Sequence, residues 1–288
     1  MGSVETRLHC YFDPGFVATE DKTPISTVNP PKDMMDPVPV TVLDARELQG
    51  DTRNYADFFE EYSFVLLPHE TAVRDWDGDD FSRYYPGEVE KLIREDLLPG
   101  RDIELEHPLY AMRRGPGTAN PFYAQTVHAD YGLMPDDYQE NLVAWSNEEY
   151  GNAWRRRFDE NDVTGCTVLN FWRSVSQTPI RHMPLCVLDP NTVEPADIIK
   201  SGLSDYPAIN GELTNQLSLR YNPTQRWYYY PEMTHEETLV FKIFDHFKAT
   251  PDAALRNCYH TAFEDPNTPA DAEERQSCEQ RVTVFFRD

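Results

Sequence analysis

No apolar run in the sequence approaches the ~20 residues that a membrane-crossing helix needs, so no transmembrane span is expected. The N-terminus lacks the apolar stretch of a secretory signal. Met1-Gly2-Ser3-Val4-Glu5-Thr6 fits the loose myristoylation pattern, but no basic cluster follows it, and one acyl chain anchors weakly. A cytoplasmic protein is therefore expected. Positive charge is scarce: 26 Lys and Arg face 50 Asp and Glu, for a net charge of −24. Binding nucleic acid or an anionic bilayer needs clustered Lys and Arg, so neither is an expected partner. The overall balance speaks to solubility and leaves a small anionic ligand open, because local pocket charge decides that. There are five cysteines, at positions 10, 166, 186, 258 and 278, with no Cys-x-x-Cys spacing. An odd, scattered set reads as reduced buried thiols in a reducing compartment. Gly-rich flavin or nicotinamide fingerprints, Cys-rich cluster motifs and internal repeats are also missing.

What the chain does have is apolar bulk. Hydrophobic residues make up 40% of 288, including 16 Tyr and 15 Phe, enough for a sizeable core. Residues 1–40 are rich in Pro and Asp and read as an irregular N-terminal arm packed on the surface. Residues 41–288 read as one domain, with a helical buttress at about 54–98 and a β-rich core at about 105–288. The expected helices are Asn54–Glu61, Gly87–Leu98 and Asn147–Asp159. Short strands are expected at Val40–Leu43, Phe64–Leu67, Leu109–Met112, Tyr123–His128, Thr164–Trp172, Leu185–Leu188, Gln216–Tyr221, Arg226–Tyr230, Thr238–Phe244, Asn257–Phe263 and Arg281–Phe286. Arg113-Arg114-Gly115-Pro116-Gly117 is a strong turn signal, with its two arginines expected at the surface or anchoring the loop. Many short strands with few helices predict a mainly β fold, an antiparallel barrel or jelly roll with flanking helices.

His128-Ala129-Asp130 carries the chemistry. Two residues apart on an extended chain, both side chains leave the same face and can share one ion. His260 lies on a separate expected strand that a barrel can bring alongside. Two imidazoles and one carboxylate suit Fe(II) and leave positions open for O2 and a co-substrate. A zinc hydrolase can use the same set, and His246, ending an apolar strand, is a rival third ligand. Arg275, Ser277, Glu279, Arg281 and Thr283 share parity. Two arginines on an inward face are costly unless they meet anions. A dicarboxylate and Asp130 would supply those anions, and a solvent-exposed edge is the alternative.

Several stretches together resemble a known family. They are Asn170-Phe171-Trp172-Arg173-Ser174, Pro184-Leu185-Cys186-Val187-Leu188-Asp189 and Trp227-Tyr228-Tyr229-Tyr230-Pro231-Glu232-Met233. To these add Glu237–Asp245, His260-Thr261-Ala262-Phe263-Glu264-Asp265-Pro266 and Arg275-Gln276-Ser277. From about residue 40 onward the chain resembles the fungal hydroxylase/desaturase family of AsaB-like tailoring enzymes, to which relatives of the bacterial cephamycin-pathway protein CmcJ also belong. The resemblance implies a double-stranded β-helix and Fe(II)/2-oxoglutarate-dependent dioxygenase chemistry with O2. His128, Asp130 and His260 fall on the metal positions. Arg275 falls where such enzymes clamp the distal carboxylate of 2-oxoglutarate, and Ser277 fits the helper hydroxyl. The spacing of Arg275 and Arg281 resembles the two-arginine strand of AlkB-type dioxygenases. By that analogy Arg281 braces Asp130 or the co-substrate's other carboxylate.

The expected activity is hydroxylation, desaturation or oxidative cyclisation of a small secondary metabolite or modified amino acid. A non-catalytic barrel serving a partner enzyme, and a zinc-dependent hydrolase, are the competing readings. Tyr123, Trp172, Trp227 and Tyr229 flank the motif strands and are candidate substrate contacts. Arg173 and Arg220 are candidates to hold a substrate carboxylate.

Overall fold

The computed structural model describes all residues except 1, 10, 27–28, 53, 108–110, 206–210 and 251–255. Its fifteen strands among the described residues are β1 (Ser3–Leu8), β2 (Tyr11–Phe12), β3 (Thr23–Ile25), β4 (Val38–Asp44), β5 (Phe64–Pro68), β6 (Ile103–Glu106), β7 (Met112–Arg114), β8 (Val163–Ser174), β9 (Leu185–Leu188), β10 (Ile198–Leu203), β11 (Gln216–Arg220), β12 (Trp227–Tyr229), β13 (Glu237–Phe247), β14 (His260–Ala262) and β15 (Ser277–Arg287). The α-helices are α1 (Ala45–Gln49), α2 (Tyr55–Tyr62), α3 (Asp79–Leu92), α4 (Pro135–Trp145) and α5 (Glu148–Asp159).

The large sheet runs β5-β13-β8-β15-β6, with β7 also paired to β15. Its long central strands are almost wholly buried, because helices cover one face and a second sheet faces the other. That second sheet runs β1-β4-β12-β9-β14, and a third runs β2-β11-β10-β3. Residues 126–129 stitch these two together. Thr126 bridges His9, His128 bridges His260 on β14, and Ala129 bridges Leu217 on β11. One buried apolar cluster spans the sheets, joining Trp172, Leu239 and Phe241 of the large sheet to Val187 and Tyr228 of the second. This is the jelly roll, or double-stranded β-helix, expected from the sequence.

The helices close specific openings. Asn54 caps α2, its Oδ1 accepting from the Asp57 N–H at 3.3 Å. Tyr85 of α3 sits beside the Arg173 guanidinium, on the outer face of the large sheet. Helices α4 and α5 plug one end of the barrel. Tyr138 stacks on Phe244 at 4.9 Å, its hydroxyl lies 3.1 Å from Thr283 Oγ1, and Trp154 stacks on Phe158 at 5.3 Å.

Several expectations change. Residues 1–40 are not an irregular arm: β1 pairs antiparallel with β4, β2 pairs parallel with β11, and β3 pairs parallel with β10. The prolines that argued against strands sit where edges tolerate them, such as exposed Pro24 on the edge strand β3. The second helix starts at Asp79 rather than Gly87, runs through Pro86 and widens into a π turn at Ile93–Leu97. Asp79 and Asp80 in the first turn suit the N-terminal end of the dipole. Helix α4 and the strands β6 and β10 have no counterpart in the expected elements. Leu109 and Tyr110, part of one expected strand, lie outside the described residues; the strand seen there is Met112–Arg114. The expected strand Tyr123–His128 is instead an extended segment with single bridges to two partners, His9 and His260.

The N-terminal pairing generates a prediction. The Trp227 indole N–H donates to the Tyr11 hydroxyl inside a sealed cluster with Leu188, Tyr229 and Phe263. Tyr11→Phe leaves that buried donor unsatisfied and should lower stability by about 1–3 kcal/mol, read as a lower urea midpoint at unchanged m-value.

Candidate metal centre and its surroundings

His128 and His260 exchange both backbone hydrogen bonds, the His128 N–H donating to the His260 carbonyl at 3.3 Å and the reverse at 2.9 Å. Directly paired residues project to the same side of a sheet, and the two ring centroids lie 4.4 Å apart. Asp130, two residues on, returns to that side. Its Oδ1 is 3.6 Å from His128 Nε2 and its Oδ2 is 3.9 Å from His260 Nε2. One ligating atom from each residue lies within 4.8 Å of the other two. Both rings are oriented from behind: His128 Nδ1 is 2.6 Å from the Thr126 carbonyl and His260 Nδ1 is 3.1 Å from that of Cys258. A carbonyl only accepts, so each Nδ1 carries the proton and each Nε2 lone pair turns toward Asp130. Phe241 packs against the His260 ring at 4.8 Å.

Asp130 is the charged centre of the group. Arg281 Nη2 lies 3.3 Å from its Oδ2, and Arg281 Nη1 donates to the Tyr131 hydroxyl at 3.1 Å. Burial alone would raise the Asp130 pKa, but the neighbouring Arg281 holds it well below the usual carboxylate range. Asp130 overcomes the effect of burial on Arg281 and pushes that guanidinium well above its ordinary value. Burial, reinforced by the neighbouring His128, lowers His260 to about 4. The imidazole therefore stays neutral, the form that donates a lone pair. His246, the rival ligand, packs instead near Phe158 and Phe244.

Ser277, Glu279, Arg281 and Thr283 share one face of β15, opposite Ser174, Trp172, Asn170 and Val168 of β8. The Arg281–Asp130 pair shows that this face is the inner one. Just before β15, Arg275 is buried beneath the same row. Its guanidinium lies over the rings of Tyr123 at 4.5 Å and Trp172 at 5.3 Å. Its Nη1 donates to the Met183 carbonyl, while its Nε has no hydrogen-bond partner. Met183 adopts a left-handed φ of 50°, a costly conformation for a residue other than glycine. Burial lowers the Arg275 pKa to about 9, as expected of a guanidinium with no paired anion. Ser277 Oγ is buried and unpartnered nearby. The Gly115 turn presses close: a Cβ there would lie 2.5 Å from the Arg275 carbonyl, so only glycine fits.

Four candidates point elsewhere, and β-strand parity explains three of them. Arg173 follows inward-facing Trp172 and so enters the opposite face of the sheet. There it contacts His69 Nδ1 at 2.9 Å and the carbonyls of His69 and His235. Arg220 donates to the Phe16 carbonyl at 2.7 Å and to that of Ala196, tying down the N-terminal segment. Trp227 and Tyr229 register with Leu188 and Cys186, whereas His260 registers with Val187. Their rings therefore face away from His260, into the second apolar cluster. Tyr123 and Trp172 do lie at the site. Glu279 and Asn170 are inward residues that the sequence reading had not proposed for the site. Asn170 Nδ2 donates to Glu279 Oε2 at 3.2 Å, and Glu279 Oε1 lies 3.6 Å from Arg281 Nη2. Strand parity was the signal for both, from Arg281 for Glu279 and from Trp172 for Asn170.

The sequence profile of the family described as "Oxidoreductase/YMDC permease-like domain" matches residues 13–285. The chain belongs to this family. The hydroxylase/desaturase efuI of Hormonema carpetanum is 26% identical over 273 residues, covering 87% of this chain and 84% of that protein. The hydroxylase/desaturase asaB of Aspergillus flavus is 31% identical over 134 residues, covering 43% of this chain and 57% of that protein. The solved structure of the iron and alpha-ketoglutarate-dependent endoperoxidase NvfI superposes with a TM-score of 0.70 at 20% identity, covering 100% of this chain and 98% of that one. Its namesake from Aspergillus novofumigatus is 32% identical over 162 residues, 56% of this chain and 52% of that protein. The chain is thus a member of the fungal hydroxylase/desaturase and Fe(II)/2-oxoglutarate-dependent dioxygenase group. Among the described residues, no helix is long and apolar enough to cross a membrane.

The depressed His260 pKa makes a prediction for the metal-free protein. Its ordinary value is 6.5 and its folded value about 4, so the unfolded chain takes up this proton first as pH falls. Stability is complete above about 6.5 and declines between 6.5 and 4, by up to roughly 1.4 kcal/mol per pH unit. His69, also lowered to about 4, contributes a similar slope. Denaturation of His260→Gln across this window should show a slope shallower by about one proton. An unchanged slope would mean that His260 is already protonated in the folded state.

Proposed function

We propose that His128, Asp130 and His260 hold Fe(II) in this chain. In this reading Arg275 and Ser277 hold the distal carboxylate of 2-oxoglutarate, and Arg281 fixes Asp130. The product class is a hydroxylated, desaturated or oxidatively cyclised small metabolite or modified amino acid. One observation carries this reading: two Nε2 lone pairs converge on a buried carboxylate whose Oδ2 has no hydrogen-bond partner, while both Nδ1 atoms are committed to carbonyls. That arrangement wants a cation, and its mixed nitrogen and oxygen donors fit Fe(II).

When bound, iron and 2-oxoglutarate supply the O2-activating oxidation that no side chain offers. The protein's own residues do the positioning. Carbonyls of Thr126 and Cys258 lock the imidazole tautomers. Arg281 holds Asp130 ionised and oriented, and Tyr131 steadies Arg281 from the closed end of the barrel. Arg275, already desolvated between Tyr123 and Trp172, is prepared to exchange a neutral carbonyl for a carboxylate, a stronger charge-assisted contact. Trp172 and Phe241 exclude water from the centre. The family and the residue set support a small-molecule substrate; substrate identity would follow from what fits beside these residues.

Four outcomes test this reading. His128→Ala and His260→Ala should each lose most Fe(II) affinity, measured anaerobically, because two protein ligands hold the ion poorly. Addition of 2-oxoglutarate to the iron-loaded wild type should produce a metal-to-ligand charge-transfer band; a protein that binds iron without developing that band is not a 2-oxoglutarate enzyme. Arg275→Ala should raise the apparent KM for 2-oxoglutarate about ten- to hundredfold, the worth of a charge-assisted contact, with iron binding nearly intact. Arg281→Ala should chiefly weaken iron binding through Asp130. If the two phenotypes are exchanged, so are the two assignments.

A further inference from the structure

Arg113 and Arg114 precede the glycine turn, and strand register separates them. Arg113 pairs with Cys278 on the outer face and reaches Asp77 at 3.1 Å. Arg114 pairs with Ser277 and therefore joins the inward row of β15. Its partners there are weak. Nη2 lies 3.2 Å from Met112 Sδ and 4.0 Å from Glu279 Oε1, and Nη1 is buried with no hydrogen-bond partner. Glu279 is engaged elsewhere, its Oε2 by Asn170 at 3.2 Å and its Oε1 nearer Arg281 at 3.6 Å. The barrel end beyond Thr283 is plugged by α4 and α5, which leaves the end at Arg114 as the mouth. The ring of Phe122, 42% exposed, lies over this guanidinium at 5.4 Å.

We propose that Arg114 anchors the substrate by a carboxylate or comparably acidic oxygen, and that Phe122 and Met112 contact its apolar body. This rests on the iron and 2-oxoglutarate reading above. Among the inward charges, Arg281 answers Asp130, and Arg275 awaits the co-substrate. With Fe(II) and the 2-oxoglutarate dianion seated, the three guanidiniums and the two carboxylates leave one positive charge over. A monoanionic substrate cancels it. A neutral one leaves the buried Nη1 donors of Arg114 without an acceptor, which is costly. The substrate class is therefore an apolar organic molecule bearing one acidic group.

The test uses matched acid and amide pairs, beginning with 4-phenylbutyrate and 4-phenylbutyramide and extending to aryl and alkyl homologues. Binding is measured by calorimetry to the anaerobic Fe(II) protein, with the unreactive analogue N-oxalylglycine in the co-substrate position. Wild type should bind at least one acid about tenfold or more tighter than its amide. Arg114→Gln should reduce that preference to about twofold or less, Arg114→Lys should keep part of it, and N-oxalylglycine affinity should stay within about twofold in both variants. If no acid is preferred by wild type, or if Arg114→Gln loses N-oxalylglycine instead, the assignment is overturned. Failure of wild type to bind N-oxalylglycine would sink the underlying reading alone, because the acid preference and its loss in Arg114→Gln can be measured without it.

Discussion

A carboxylate inside an apolar barrel is the constraint on which the rest of this structure depends. Asp130 stays ionised there only because cationic or proton-donating groups surround it, and removing water from a charge is expensive unless it is paired. Arg281 supplies one pairing. On the other side stand two imidazoles, and burial keeps that of His260 neutral, so it cannot supply the second. The centre is thus electrostatically unfinished as built from protein alone. A divalent cation would complete it, attracted by the carboxylate and accepted by the two nitrogen lone pairs. Arg281 keeps Asp130 ionised and oriented for that cation.

The topology explains how these residues meet. Residues 126–129 form no regular strand, yet they close the seam between two sheets with single bridges to His9, His260 and Leu217. The seam takes its register from both sides, so His128 and Asp130 are held by neighbours far away in sequence. This also gives the N-terminal residues a purpose. His9 and Tyr11 brace the seam and the cluster beneath it, and a chain lacking them would lose the Thr126 bridge and keep those of His128 and Ala129. Helices α4 and α5 then make one end of the barrel solid, so ligands must approach from the end that carries Arg275 and Arg114.

The legible part of this arrangement was the part governed by local alternation. His-x-Asp on extended chain and the shared parity of Ser277 and Arg281 both follow from a period of two. So do the long core strands, whose apolar residues run on because both faces are covered. What stayed illegible depends on absolute orientation: parity says which residues share a face, but not which face is inside. Arg173, Trp227 and Tyr229 each sit beside a correctly placed neighbour and point the other way. Arg220 belongs to a strand whose role is to hold the N-terminal segment. That segment itself was hidden because its strands are short, carry proline and pair only with distant partners. Pro86 was misleading for the opposite reason, since a helix with strong acidic N-terminal residues and good burial tolerates one missing hydrogen bond.

The overall charge of −24 does not contradict a site for anions. At physiological ionic strength, exposed charges are screened over about 8 Å, so acids scattered on the surface act only weakly on a buried pocket. Inside, the low dielectric strengthens every contact, and three guanidiniums lie along one strand face and its edge. The acidic exterior gives no steering toward anionic ligands, so the row proposed at Arg114, Arg275 and Arg281 would hold them by short-range pairing alone. That demands geometry rather than bulk charge. It is why these arginines are immobilised against rings and carbonyls, and why Lys, a flexible point charge, supplies none of them.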